Sequence, residues 1–338
     1  MAPKAVIFGC EGLSLTAWER DFFARHDPLG FILFARNCES PDQIRALVGE
    51  MRASVGRAEA PVLIDQEGGR VARLKPPHWR AAPPAARFGT LARRDPEAAR
   101  EAARLNARLM AAELHGLGIS VDCVPALDLA VPGAHDVIGD RAFSGDAETV
   151  AMLGRAVCEG MLAGGVMPVM KHIPGHGRAG VDSHHSLPVV ATQKAELEAT
   201  DFAPFKVLAG MPWAMTGHVI YDAIDPERPA TTSPKVIAEI IRGHIGFEGV
   251  LVSDDLSMQA LSGGLGERAA AALAAGCDIA LHCNGKAQEM EAVAEACGPL
   301  SEAGLARLEA AAGRPEAKPE ALDTAAALSR LNVLLESA

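Results

Sequence analysis

The run Lys171-His172-Ile173-Pro174-Gly175-His176-Gly177-Arg178-Ala179-Gly180-Val181-Asp182-Ser183-His184 gathers three histidines, a lysine and an aspartate around three glycines and a proline. Lys171 and His172 close an apolar stretch. There, an ammonium and an imidazole can clamp polar substituents, while Gly and Pro let the backbone turn sharply around a ligand. Asp182 stands two residues before His184, close enough for its carboxylate to fix the imidazole's tautomer and support its protonated form. A solvated polar loop would have the same composition, because loops collect polar residues whatever their role.

Asp254 is the second candidate. It is the first carboxylate after the buried run ending at Val252, in Ser253-Asp254-Asp255-Leu256-Ser257-Met258. A carboxylate there can attack an electrophilic carbon while a neighbouring proton donor helps the leaving group depart. Substitution at a sugar carbon with retention needs that pair, usually two carboxyl groups about 5–5.5 Å apart. Imidazole titrates near neutral pH, so His184 could fill the second role. Asp255 is read as the cap and first-turn acid of a following helix.

These residues need elements to hold them. Eight short apolar runs recur along the chain: Ala5–Cys10, Gly30–Phe34, Pro61–Ile64, Ile119–Val124, Val166–Met170, Trp213–Thr216, Gly249–Val252 and Cys277–Leu281. Most lack polar alternation, as expected of parallel strands covered on both faces. Amphipathic stretches lie between them, such as Ile44, Leu47, Val48 and Met51 at i, i+3, i+4, i+7. Ser40-Pro41-Asp42-Gln43 reads as a capping box, and Asp95-Pro96 and Ser233-Pro234 as caps followed by proline. The alternation fits either a doubly wound sheet or a single-domain (β/α)8 TIM barrel. Polar clusters decide for the barrel, since they follow almost every run: Glu11, Arg36-Asn37, Asp65 to Gly69, Asp128, Lys171-His172, His218, Asp254-Asp255, and His282 with Asn284. A barrel gathers all eight strand ends around one active-site mouth at their C-terminal side, whereas an open sheet uses one crevice.

Composition narrows the functional classes. The chain has 338 residues and a net charge of -11, which suits one barrel, with closing helices from about residue 289, and argues against nucleic acid or an anionic membrane as partner. Seven cysteines without a C-x-x-C pair suggest reduced, mostly buried thiols and no zinc ribbon. No segment has the length of a membrane span or the form of a secretory leader, so the expectation is a cytoplasmic monomer.

Asp65-Gln66-Glu67-Gly68-Gly69-Arg70-Val71, Ile138-Gly139-Asp140-Arg141-Ala142-Phe143, Lys171 to Gly177 with Asp182-Ser183-His184, and Ser253 to Met258 occur in that order. Together they resemble glycoside hydrolase family 3, specifically its bacterial β-N-acetylglucosaminidases of peptidoglycan recycling. The resemblance implies that Asp254 is the nucleophile, His184 the general acid/base and Asp182 its orienting partner. It further implies that Asp65, Arg73, Arg141, Lys171 and His172 bind the terminal sugar; His176 could instead only shape its loop. The substrate would be a small carbohydrate, N-acetylglucosamine linked to a 1,6-anhydromuropeptide, and no metal or organic cofactor would be needed. The separate domain that supplies a carboxyl acid in many β-glucosidases of the family has no counterpart here, which favours the histidine-dependent branch. Three rival readings are phosphorolysis by the same dyad, a metal-dependent amidohydrolase barrel using His172, His176, His184 and His185, and a catalytically silent sugar-binding barrel.

Overall fold

The computed structural model describes residues 2–183, 186–315 and 319–336. All eight apolar runs become strands of one barrel. In chain order the strands are β1 Lys4–Phe8, β2 Pro28–Leu33, β3 Val62–Ile64, β4 Val121–Asp122, β5 Met167–Ile173, β6 Val189–Val190, β7 Trp213–Thr216, β8 Ile220–Tyr221, β9 Val250–Asp255 and β10 Ile279–His282. The short β6 and β8 pair separately, and the other eight close in the order β1-β10-β9-β7-β5-β4-β3-β2. Ile7 pairs with Leu281 in parallel register, so the first and last barrel strands meet and the doubly wound alternative is excluded.

Alternation along each strand separates two cores. Ala5, Ile7, Leu63, Val169, Met215, Val252 and Leu281 point into the barrel, whereas Val6, Phe8, Val62, Met170 and Leu251 point out at the helices. Leu300 and Ala311 join the inner cluster with Leu305 and Leu308 packed beside them, so the segment carrying the helix Glu302–Ala312 stoppers the end where the strands begin. The opposite end is left for chemistry.

The helix Pro41–Ser54 illustrates how local sequence serves this layering. Its stripe Ile44, Leu47, Val48 and Met51 is buried as the spacing requires, each side chain contributing about 1.5–3 kcal/mol relative to exposure. Ser40 accepts from the Gln43 N–H. The box is one-sided, however, because the Gln43 side chain accepts from the Glu39 N–H instead of reaching back to Ser40. Asp95 caps the helix Pro96–His115, and the Ser233 hydroxyl accepts from the Val236 N–H. All seven cysteines are free and only Cys38 is not fully buried. Among the described residues no helix is long and apolar enough to cross a membrane.

Candidate active site

A cavity of about 240 Å³ opens at the C-terminal ends of the strands. It falls below the roughly 300–1,000 Å³ typical of sites for drug-sized ligands, so it suits one small ring. Asp65, Arg73, Arg141, Lys171, His172 and Asp254 all line it. The sequence-based sugar contacts and the candidate nucleophile thus share one space.

One wall is a charge network. The Lys171 Nζ, on a side chain 2% exposed, lies 2.7 Å from both Asp65 Oδ1 and Glu67 Oε1. Arg73 Nη2 donates to Asp65 Oδ2 at 3.0 Å, and Arg141 grips Glu67 with two bonds of 2.8 Å. Burial alone would raise both carboxyls, but Lys171 with Arg73 holds Asp65 well below the carboxylate range, and Lys171 with Arg141 holds Glu67 at about 2. Burial would likewise depress Lys171, yet Asp65 and Glu67 hold it above the ordinary lysine value. Every member is therefore charged and fixed before a ligand arrives, and bidentate and charge-assisted contacts are the strong ones.

A second group turns on Asp128, just beyond β4. Its Oδ2 lies 2.7 Å from His172 Nδ1, and its Oδ1 accepts the His176 N–H at 2.7 Å. A carboxylate that can only accept directs the Nδ1 proton of His172 toward itself, which leaves the outer nitrogen to face the cavity. His176 Nε2 lies 3.1 Å from the Ser183 hydroxyl, while its Nδ1 has no protein partner. Burial first, then neighbouring His172, pushes the His176 imidazole down to about 4, so it is neutral near pH 7. Gly177 lets this loop lie against β4's continuation, since a Cβ there would collide with the Leu129 carbonyl.

Asp254 ends the inner face of β9. Its Oδ1 accepts the Asp255 N–H at 2.8 Å. Burial opposes its charge, but His218, His172, the Asp255 N–H and Lys171 together hold the carboxyl below its ordinary value. A buried, ionised carboxylate with one oxygen held and the other available is equipped to attack carbon. The model of the glycosyl hydrolase family 3 N terminal domain matches residues 17–314.

The chain belongs to glycoside hydrolase family 3. Among its curated relatives are proteins named beta-hexosaminidase from Alkalilimnicola ehrlichii, 43% identical over 286 residues covering 82% of this chain and 80% of that protein, and from Pseudomonas aeruginosa, 42% identical with 84% and 83% covered. NagZ from Neisseria gonorrhoeae, solved with N-trifluoroacetyl-D-glucosamine, superimposes with a TM-score of 0.88 at 33% identity, covering 99% of each chain. A family 3 beta-N-acetylglucosaminidase from Paenibacillus sp. str. FPU-7 aligns with a TM-score of 0.80 at 33% identity, and the present chain spans 98% of itself but 61% of that longer one.

Within this family 3 barrel several expectations need correction or extension. His184, with His185, lies outside the described residues. Asp182 is half-buried and does not line the cavity, although Ser183 beside it does. Asp255 is not a helix cap: the helix after β9 begins at Leu265, with Gly264 as its cap. Its carboxylate instead accepts from the Ser257 N–H at 3.0 Å and the Cys283 N–H at 3.2 Å, holding two strand ends together. Nor does every polar residue past a strand face the cavity. His282 shares the outward parity of Ala280, in edge contact with Phe8, while Leu281 and Cys283 on either side line the cavity. Arg36 donates to the Cys10 carbonyl at 2.9 Å and Asn37 to the Gly12 carbonyl at 2.8 Å, tying loops and not ligands. Glu67 and Asp128 received no individual role from sequence. Both stood in the polar clusters that follow strands, which was the signal that could have found them.

Proposed function

We propose that this family 3 enzyme is a retaining β-N-acetylhexosaminidase that removes terminal, non-reducing β-linked N-acetylglucosamine, with peptidoglycan-derived 1,6-anhydromuropeptides as substrate. The free oxygen of Asp254 attacks the anomeric carbon as the glycosidic C–O bond breaks, and His184, oriented by Asp182, gives its proton to the departing oxygen. Water then loses a proton to His184, attacks the same carbon and releases the Asp254 carboxylate. Lys171, Arg141, Asp65, Arg73 and His172 hold the ring hydroxyls, and no cofactor takes part.

The observation that carries this reading is the ionised, half-held carboxylate of Asp254 facing a cavity with room for one ring. The activity named for the curated relatives and the N-acylated glucosamine bound by the Neisseria gonorrhoeae protein support the choice of sugar. The reading takes residues 1–338 as one domain, with closing helices from about 289, working as a cytoplasmic monomer. A site built around a polar acetamide discriminates strongly against a ligand lacking it. The specificity constant for p-nitrophenyl N-acetyl-β-glucosaminide should therefore exceed that for the β-glucoside by about 10²-fold or more. Comparable constants would move the protein to the β-glucosidases. On the acid step, His184→Ala should slow substrates with poor leaving groups far more than activated aryl glycosides, and equal losses would assign His184 to binding.

A further inference from the structure

His218 does not line the cavity, yet it is connected to the nucleophile by one residue. Asp255 gives its N–H to Asp254 Oδ1 at 2.8 Å, and its carbonyl oxygen lies 3.0 Å from His218 Nε2. A carbonyl can only accept, so Nε2 carries the proton. Nδ1 lies 2.7 Å from the Thr231 hydroxyl. With Nε2 protonated, the Thr231 hydroxyl gives its one proton to the nearer Nδ1; the hydroxyl also lies 2.8 Å from the Thr216 hydroxyl and 3.2 Å from the Gly217 carbonyl. Thr216, His218 and Thr231 are all 0% exposed. A satisfied polar network of this kind fixes direction in a way apolar packing does not.

We infer that His218 is a positioning residue for the nucleophile, acting through the main chain of Asp255. This rests on the reading of Asp254 as the nucleophile. Asp255 is held on both sides of its Cα: its N–H by the nucleophile's own oxygen, and its carbonyl by His218 together with the Met258 N–H at 3.2 Å. Its carboxylate is also tied to Ser257 and Cys283. The Asp255 N–H and carbonyl lie on successive peptide planes joined at its Cα. Without His218 the following plane, still anchored by the Leu256 N–H on the Leu281 carbonyl at 2.9 Å, can pivot, and the N–H that aligns Asp254 Oδ1 shifts through the φ and ψ of Asp255. The second oxygen then leaves the line of attack. His218 thereby joins the end of β7 and the turn Ala230–Thr232 to the end of β9, three segments that the barrel alone brings side by side only approximately.

Two polar variants isolate the bond. In His218→Gln the amide nitrogen reaches as far as Nε2, whereas in His218→Asn it reaches only as far as Nδ1. Each is compared with the parent for kcat, KM and Tm, and for the rate at which a fluorinated mechanism-based N-acetylglucosaminyl inhibitor labels Asp254, mapped by peptide mass spectrometry. Misplacement by about 1 Å costs on the order of 10²-fold, so His218→Asn should label Asp254 about 10- to 100-fold more slowly with KM nearly unchanged. His218→Gln should recover most of that rate. Labelling of His218→Asn at the parent rate, no recovery in His218→Gln, or a loss confined to KM would overturn the inference. Should His218→Asn fail to fold, Thr231→Val tests the same strut from its other nitrogen: slower labelling supports the inference, and unchanged labelling overturns it. A label found on a residue other than Asp254 in the parent protein would overturn the nucleophile reading instead.

Discussion

The two sides of the cavity are built on opposite electrostatic plans. On the side of β3 and β5, the carboxylates of Asp65 and Glu67 are each paired twice, with Lys171 between them, Arg73 on Asp65 and Arg141 on Glu67, through contacts of 2.7 to 3.0 Å. On the side of β9, Asp254 has no cation in direct contact among the described residues, and a single backbone N–H holds one of its oxygens. The paired wall can bind hydroxyls without itself reacting, because its carboxylates are engaged. The other side keeps a carboxylate that is charged but not consumed by a salt bridge, and a salt-bridged carboxylate would be a poor nucleophile. In the function proposed above, the difference separates holding the sugar from attacking it.

Removing the reactive side should have the largest effect on rate. Asp254→Asn should lower kcat on the order of 10⁴-fold or more, as removal of a nucleophile does in other covalent enzymes. Its Tm should stay at or above that of the parent, since no salt bridge is broken. A marked fall in Tm would mean that Asp254 is part of the structural wall after all.

Breaking the paired side should reverse that pattern. Lys171→Met leaves Asp65 and Glu67 facing each other without the ammonium between them, and removal of one partner from a buried pair costs about 3–5 kcal/mol. Urea unfolding should register this as a lower midpoint, and both KM and kcat should suffer. Unchanged stability would show that the wall tolerates loss of its centre.

Acid sharpens the contrast further. Glu67 is held at about 2 against an ordinary value of 4.5, and Asp65 is also depressed. A depressed carboxyl contributes stability that is fully present above its unfolded value and is lost as pH falls through its folded one. Tm should therefore hold from neutrality to about pH 4.5 and decline between there and about 2. Glu67→Gln should start lower and decline less steeply. Equal slopes in the two proteins would place the acid sensitivity elsewhere.

Much of this was legible in the chain. Eight apolar runs mark eight strands because a parallel barrel covers both faces of each one, so no polar alternation interrupts them. Lys171-His172 and Asp254-Asp255 stood out because charged residues at the end of a buried strand have few structural reasons to be there. Boundaries were less legible: β5 runs on through Ile173 and β9 through Asp255, so residues expected in loops belong to strand ends. Asp255 went astray for a related reason. Its neighbours in sequence suggest a helix start, whereas its carboxylate is satisfied by the nearby Ser257 N–H and by the N–H of Cys283, just past the end of β10.

Local sequence by itself determined the strands, the helix stripes and which strands end in polar clusters, because hydrophobic period, caps and turn residues act over a few positions. Only the tertiary structure decided which polar residues face the cavity and which face the helices. That choice depends on parity at each strand's end: Leu281 and Cys283 turn inward, and His282 between them turns out. Tertiary structure also decided the partners. Glu67 meets Arg141 and Lys171, and His218 meets the Asp255 carbonyl, across sequence gaps that only closure of the barrel brings together. A charge written in sequence is free to be either a ligand contact or half of a buried pair. The residue opposite it settles which, and that residue arrives from another strand.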